Sequence, residues 1–213
     1  MKTPRAAALA GVAFALLFGA TIILIRTRMP EGIDDSTTWL DQGSGGITTA
    51  TILMPFAGIS FLWFIAVVRD GLGRYEDRFF ASVFLGSGFL FLAMMFVATA
   101  ALAALVASNK AMTDPAAHRD VIEFGKMFVL STSKTYALRM AAVFMMSLAA
   151  IWLKTGLMPR WLVALSYLAA LTLLVVSDLN MWAAMAFPVW VLVVSGLILA
   201  RAGVFEEIRA RID

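Results

Sequence analysis

The chain has 213 residues, of which 62% are hydrophobic and only 15% are charged. Soluble domains are closer to half apolar and a quarter charged, so this composition excludes an ordinary soluble fold and indicates an integral membrane protein. Cysteine is absent, which excludes disulfides, thiolate nucleophiles, cysteine-ligated iron–sulfur clusters and cysteine lipidation. The net charge of +3 comes from basic residues at the ends of apolar runs. That placement is typical of membrane topology and excludes a nucleic-acid surface.

Six apolar runs predict an all-α, polytopic transmembrane bundle in which residues 1–213 form a single membrane domain. A membrane-spanning helix needs about 20 apolar residues. The predicted spans cover about 6–25, 47–68, 79–106, 135–153, 161–177 and 181–200. The first run follows Lys2 and Arg5 as a signal peptide would, but its length and the lack of a small-x-small motif before Arg26 favour an uncleaved span.

The polar connections between these runs predict the topology. Arg26 to Gly46 reads as a solvated, flexible connection, since its four acidic residues match no calcium-loop spacing. The sequence RDGLGRYEDR, residues 69–78, is the most basic short loop and is expected on the cytoplasmic side. With both termini cytoplasmic, ten basic residues face inward and seven outward.

A helix start is marked by Thr113-Asp114-Pro115, an acidic N-cap followed by proline at the first helical position. We expect an amphipathic helix over about 115–130 that lies at the outer interface before the fourth span. Its apolar face would carry Val121, Phe124 and Phe128, and Lys126 would take one of the polar positions. A bend is expected near residues 131–133, since a continuous helix would far exceed the bilayer thickness.

Small residues and prolines mark predicted packing faces and kinks. Small residues at four-residue spacing let transmembrane helices approach closely. Proline inside a span removes one helical hydrogen bond. The predicted packing residues are Ala7, Gly11, Ala15 and Gly19 in the first span and Ser82 and Gly86 in the third; the predicted kinks are at Pro55 and Pro188.

Arg139 is the only charge inside an apolar span. One interpretation is a snorkelling arginine whose long side chain reaches the outer headgroups. The other is a pair with Asp178 at the outer end of the next span, with Tyr136 and Asn180 nearby. Such a polar cluster would be either a ligand site or a clasp between two helices.

The remaining reactive residue types indicate no catalytic centre. His118 is the only histidine, which excludes a bis-histidine haem or a histidine-rich metal site, and it is expected at the surface. The 13 methionines are expected to serve as packing residues. Since no hydrolase, zincin or nucleotide-binding motif occurs, we expect no metal and no cofactor.

Three stretches carry a resemblance to known proteins. They are YEDRFFASVFLGSGFLFLAMMF, ALRMAAVFMMSLAAIWLKTGLMPRWLVALSYLAALTLL and FPVWVLVVSGLIL. Together they resemble small six-span integral membrane proteins of high-GC Gram-positive bacteria over roughly the last two thirds of the chain. The resemblance implies a six-span topology and a bacterial cytoplasmic membrane, and it transfers no catalytic residue.

Three classes of function remain open from the sequence. The first is a non-enzymatic accessory or scaffold subunit, whose partners are the lipid bilayer and either another membrane protein or a second copy of the chain. The alternative is a carrier or receptor for a small or lipidic ligand with a polar site near Arg139 and Asp178. A membrane enzyme is the third and has least support.

Overall fold

The computed structural model describes residues 3–29, 38–72, 78–109, 115–176 and 181–210, and the regular structure in these ranges is entirely helical. The all-α prediction is therefore confirmed for them. The elements are α1 (Thr3–Arg28), α2 (Thr38–Leu72), α3 (Arg78–Asn109), α4 (Pro115–Leu130), a π-helical segment (Ser131–Ala137), α5 (Leu138–Thr155), α6 (Arg160–Val176), a 3-10 segment (Met181–Met185) and α7 (Ala186–Ala210).

Five helical stretches in the described ranges are long and apolar enough to cross a membrane. They are Ala8–Arg28, Gly43–Gly71, Phe79–Asn109, His118–Thr155 and Trp182–Arg201. The chain is thus built as a multi-pass membrane protein. The apolar helix α6 has 17 residues, which gives a length of about 25 Å against a hydrocarbon core of about 30 Å.

Helix α2 starts well before the second apolar run. Gly43, Ser44, Gly45 and Gly46 are helical, so the expectation that they belong to a flexible connection is wrong. A Cβ atom at Gly43 would lie 3.0 Å from the Cβ of Arg28, and one at Gly46 would lie 3.3 Å from its Cγ. The glycines therefore let the end of α1 lie directly on α2, and this contact offsets the low helix propensity of glycine, about 1 kcal/mol per residue.

The junction between α4 and α5 is a widened helical turn rather than a break. The backbone is helical from Pro115 to Thr155. The amide of Leu138 donates to the carbonyl oxygen of Ser133, five residues earlier, which is the π-helical pattern. The Ser133 hydroxyl donates to the Val129 carbonyl at 2.7 Å and so competes for backbone acceptors. This π-helical segment lies where the sequence predicts a bend.

Helix α4 packs against α3 through a face that the sequence pattern does not indicate. Ile122 and Val129 are buried, and Lys126 between them is only 7% exposed, so the expectation that Lys126 takes a polar outward position is wrong. Gly125 is the physical reason, because a Cβ atom there would overlap Leu105 of α3. Because α4 lies close to α3 at Gly125, the neighbouring side chain of Lys126 is also buried in this contact. The predicted apolar face points outward, with Phe124 73% exposed.

The turn between α5 and α6 depends on a glycine and a proline. Gly156 has φ 66° and donates its amide to the Trp152 carbonyl at 2.9 Å, which ends α5 with a left-handed cap. The Pro159 carbonyl accepts the amide of Leu162 at 3.0 Å and so begins α6. Arg201 of α7 donates to the carbonyl of Leu157. The turn and the far end of the α7 apolar stretch therefore lie at the same end of the bundle.

The two prolines occupy different positions in their helices. Pro55 lies in the interior of α2, which continues through it. Pro188 is the third residue of α7, directly after the 3-10 segment. In a first helical turn the missing proline N–H removes no bond that the helix needs.

The centre of the bundle is a cluster of buried rings, which we call the aromatic core. Phe187 of α7 lies at its middle, with centroid distances of 4.8 Å to Phe91, 5.7 Å to Phe14, 5.8 Å to Phe61 and 6.0 Å to Phe144. These distances fall in the range that favours edge-to-face and offset contacts. The aromatic core consists of Phe14, Phe18, Phe61, Phe64, Phe84, Phe91, Phe144, Trp152, Phe187 and Trp190, all of them buried.

Candidate functional site

Arg139 makes a contact along its own helix. Its Nη1 donates to the carbonyl of Thr135 at 2.7 Å, one turn earlier in the π-helical segment, and the side chain is half-buried. Arg139 also takes part in at least one further interaction within the protein. This direction is the one that a snorkelling arginine takes. Tyr136 is exposed in the π-helical segment. Asp178 and Asn180 lie outside the described residues, so the proposed pair between Arg139 and Asp178 stays a prediction.

The small residues of α1 lie at the interface with α7 and α2. A Cβ atom at Gly11 would overlap the Oγ of Ser195 on α7 and the ring of Phe64 on α2. Ala15, one turn further, is also buried. The side chain of Ala7 lies outside what the structure describes. Gly11 thus serves packing within the chain.

The other predicted packing residues have more space around them. A Cβ atom at Gly19 would meet only the Cε of Met185, at 3.8 Å. Ser82 and Gly86 lie on the exposed face of α3, and no atom lies within 4 Å of a Cβ built on Gly86. Among the described residues, Gly86 therefore leaves open space on this face of α3.

An apolar cavity lies near the end of α1, bounded by α1, α3 and the junction of α4 with α5. We call it the α1–α3 cavity. The centre of a water molecule can move within about 30 Å³ of this cavity. The total unfilled space, which includes the opening to the outside, is about 460 Å³. Its described lining residues are Phe18, Ile22, Ile25, Arg26, Met29, Met95, Ala98, Thr99, Leu102, Val129, Ser133, Leu138 and Ala184.

Among the described residues that line the α1–α3 cavity, Arg26 is the one with a formal charge. It lies one helical turn beyond Ile22, on the face of α1 that also carries the buried rings of Phe14 and Phe18. Its Nη1 nitrogen is shielded from solvent. Arg26 also takes part in at least one further interaction within the protein. As a cation in the last turn of α1, it is favoured by the helix dipole.

Two hydroxyl groups complete the polar part of the lining. The Thr99 hydroxyl donates to the carbonyl of Met95 at 2.8 Å, and that of Ser133 donates to its own helix. Each hydroxyl proton is therefore engaged, while the oxygen lone pairs can still accept a hydrogen bond. The cavity thus combines one cation, two acceptor oxygens and apolar walls.

No group of three or more histidine, aspartate or glutamate side chains in the described ranges could hold a metal ion. His118 instead joins two helix ends: its Nε2 lies 2.8 Å from Oδ1 of Asn109 at the end of α3. Because an amide oxygen only accepts, the ring nitrogen is the donor. His118 therefore ties the start of α4 to the end of α3.

The sequence patterns predicted neither the cavity nor the position of Arg26 in its lining. They placed Arg26 at the start of the polar connection after the first span, and this is wrong, because α1 continues to Arg28. One signal was available. Arg26 follows the apolar positions 14, 18 and 22 at helical spacing, so it continues a face that has to be buried. A cation at the next position of this buried face is expected to lie between α1 and a neighbouring helix.

No family model, no curated protein and no solved structure matches the chain.

Proposed function

We propose that the protein is a non-enzymatic accessory or scaffold subunit of a membrane complex, which recognises another membrane protein or a second copy of itself through its outer faces. The aromatic core is the observation that carries this proposal. Channels and carriers place a hydrated or polar site near the middle of their bundles. Here the rings of Phe14, Phe61 and Phe187 occupy that position and are fully buried. The outside of the bundle is left as the surface for recognition.

A carrier or receptor with its polar site at Arg139 and Asp178 is the alternative. Its nearest structural support is the position of Arg139, whose guanidinium already bonds to a carbonyl of its own helix. Arg139 also takes part in a further interaction within the protein, and we rank the scaffold role first because of the aromatic core.

We infer six membrane crossings, with both termini cytoplasmic, α4 at the outer interface and the chain in a bacterial cytoplasmic membrane. The stretch Trp182–Arg201 is long enough to cross, and Arg201 bonds to Leu157 in the turn before α6. If α7 crosses, its start lies on the far side from that turn, and α6 has to make the intervening crossing. The exposed rings of Phe124 and Phe128 support an interfacial α4, since they would enter the lipid.

The crossing by α6 can be tested by cysteine labelling, because the native chain has no cysteine and gives no background. Leu157→Cys and Trp182→Cys place single thiols before and after α6, at exposed positions. In intact cells we expect a membrane-impermeant maleimide to label Trp182→Cys and to label Leu157→Cys only after permeabilisation. Labelling of both thiols from the same side would contradict a crossing by α6.

The scaffold role predicts that Gly86 contacts a partner. Gly86→Leu adds a bulky side chain to the exposed face of α3, where a partner helix could approach closely. We expect association with the copurified partner or second copy to weaken by about tenfold or more, which is about 1.4 kcal/mol. The measurement is quantitative copurification and native electrophoresis in a gentle detergent.

Gly196→Leu is the matched control for Gly86→Leu. Gly196 is equally exposed on α7, with no atom within 4 Å of its Cβ position, so the same change is made on a different face. We expect both variants to keep the native unfolding temperature. If Gly86→Leu, Gly196→Leu and the native protein associate equally well with the partner or second copy, α3 is not the recognition face.

A further inference from the structure

We propose that the turn between α5 and α6 binds the phosphate of one anionic phospholipid of the surrounding bilayer, held between Arg160 and Arg201. We call this region the turn surface; it consists of Arg160, Trp161, Arg201 and the carbonyl group of Leu157. It is distinct from the exposed face of α3 on which the scaffold role depends. The inference holds whichever side of the membrane this end of the bundle faces.

The turn surface lies at one boundary of the membrane. Arg201 is the last residue of the apolar stretch Trp182–Arg201, and its Nη1 donates to the carbonyl of Leu157 in the turn. Just before the turn, Nζ of Lys154 lies 4.6 Å from the centre of the Phe80 ring, in the first turn of α3. The ends of three apolar stretches therefore meet here, at the level where lipid head groups begin.

Basic residues are concentrated in the segments that form the turn surface. Residues 138–176 and 181–201, which contain α5, α6 and the apolar stretch of α7, include four basic residues and no acidic residue. Three of the four, Lys154, Arg160 and Arg201, belong to this end and are exposed. Positive side chains at the level of the head groups attract lipids of net negative charge.

The turn is ordered by its own hydrogen bonds. The Thr155 hydroxyl donates to the carbonyl of Ile151 at 2.8 Å and accepts the amide of Leu157 at 3.4 Å. Together with the left-handed cap at Gly156, these bonds fix the carbonyl group to which Arg201 donates. A turn that is ordered in advance loses little conformational entropy when it binds a ligand.

Arg160 and Arg201 supply the donors for a phosphate. An arginine has five N–H donors in a planar fork that matches phosphate oxygens, so Arg201 can donate to Leu157 and to a phosphate at the same time. Arg160 begins α6 three residues after Leu157, and its side chain is exposed. Hydrogen bonds from two guanidinium groups to one phosphate are charge-assisted and therefore stronger than bonds between neutral groups.

Exposed rings beside these cations favour a lipid as the source of the phosphate. Trp161, the neighbour of Arg160, is 54% exposed, and Phe79 at the start of α3 is 68% exposed. Aromatic rings next to basic residues are typical of the interface between membrane and water. The rings thus place the two arginines at the level of the head groups, where phospholipid phosphate is abundant.

The test measures ligand binding to purified, delipidated full-length protein by native mass spectrometry. The probes are phosphatidylglycerol, phosphatidylcholine with the same acyl chains, glycerol 3-phosphate and a polyglutamate peptide. We expect one phosphatidylglycerol to bind at least about tenfold more tightly than phosphatidylcholine, and the two soluble anions to bind far more weakly. Arg160→Gln and Arg201→Gln should each lower the preference by about fivefold, and the double variant should remove it.

Lys154→Gln is the matched control for these variants. Lys154 carries the same charge at the same end of the bundle, but its ammonium group lies over the ring of Phe80. We expect Lys154→Gln to keep most of the preference for phosphatidylglycerol. The thermal unfolding temperature of each variant checks that it is folded. Arg160→Gln leaves the bond between Arg201 and Leu157 intact, so it decides the test even if Arg201→Gln fails to fold.

Four results would overturn the inference. The first is equal binding of the two phospholipids, and the second is an unchanged preference in folded Arg160→Gln. The third is a loss in Lys154→Gln as large as that in Arg160→Gln, which would indicate a diffuse charge effect. The fourth is binding of glycerol 3-phosphate or polyglutamate as tight as that of phosphatidylglycerol, which would indicate a site for a small anion or for an acidic protein segment.

Discussion

Replacing Phe187 by alanine is expected to destabilise the bundle more than any other single truncation considered. Its ring lies at the centre of the aromatic core and contacts rings from α1, α2, α3 and α5. Truncating a buried phenylalanine costs about 3–5 kcal/mol in soluble proteins. We expect about 3 kcal/mol here, because lipid tails replace part of the hydrophobic transfer term while the lost contacts remain. Thermal unfolding in detergent, followed by tryptophan fluorescence, measures the loss.

Phe56→Ala is the control that makes this result specific. Phe56 is 57% exposed on α2, so the same atoms are removed from a surface that lipid or detergent covers. Its unfolding temperature should stay close to that of the native protein. Comparable losses in Phe56→Ala and Phe187→Ala would mean that the aromatic core does not hold the helices together.

Replacing Gly11 by alanine is expected to be the second most damaging change, although it adds only one methyl group. The new Cβ would overlap the Ser195 hydroxyl and the Phe64 ring, so these buried side chains or the helices that carry them have to shift. Overpacking of this kind costs about 1–3 kcal/mol. Gly19→Ala, two turns along α1, has 3.8 Å to its nearest neighbour, and the better helix propensity of alanine should leave it neutral or slightly more stable.

A double-mutant cycle shows whether Ser195 is the source of the Gly11 effect. The Ser195 hydroxyl is buried and has no hydrogen-bond partner among the described residues. Ser195→Gly therefore removes the overlapping atom and leaves no donor behind. We expect the Gly11→Ala, Ser195→Gly double variant to regain part of the stability lost in Gly11→Ala, with a coupling of about 1 kcal/mol. Strict additivity of the two changes would show that Ser195 is not the source of the Gly11 effect and would leave the overlap with Phe64 as its cause.

The bundle contains a fully buried aromatic core and, separately, the α1–α3 cavity. Helices α1, α2, α3, α5 and α7 supply the ring cluster, which favours a rigid interior and recognition at the outer faces. The cavity lies beside the π-helical segment, where the regular helix geometry changes.

Much of the architecture follows from sequence patterns alone. Long apolar runs predict helices because a backbone in lipid has to satisfy its own hydrogen bonds. The start of α4 at Pro115 and the end of α5 at Gly156 follow from local signals, an N-cap with proline and a left-handed glycine. Such features depend on residues adjacent in the chain, so they are readable without knowledge of the neighbours.

The glycines show what local sequence patterns do not predict, namely which residues of other helices lie next to them. Gly11, Gly58, Gly86 and Gly125 all lie in the interior of helices. Yet a Cβ atom at Gly58 would overlap Phe96 and one at Gly125 would overlap Leu105, whereas one at Gly86 meets nothing within 4 Å. The four residues are the same type in the same kind of helix, and only their partners on other helices distinguish them.

The sequence by itself determined the class of protein, the all-α fold, the approximate positions of the long apolar helices and the absence of cysteine chemistry. These follow from the composition and from the length and spacing of the apolar runs, which are properties of the sequence alone. Only the tertiary structure decided that Lys126 is buried, that Gly43 to Gly46 continue α2, and that Arg26 faces a cavity. Each of these depends on which helix face meets which neighbour. In lipid an apolar pattern does not determine that choice, because lipid tails and helix interiors are equally apolar.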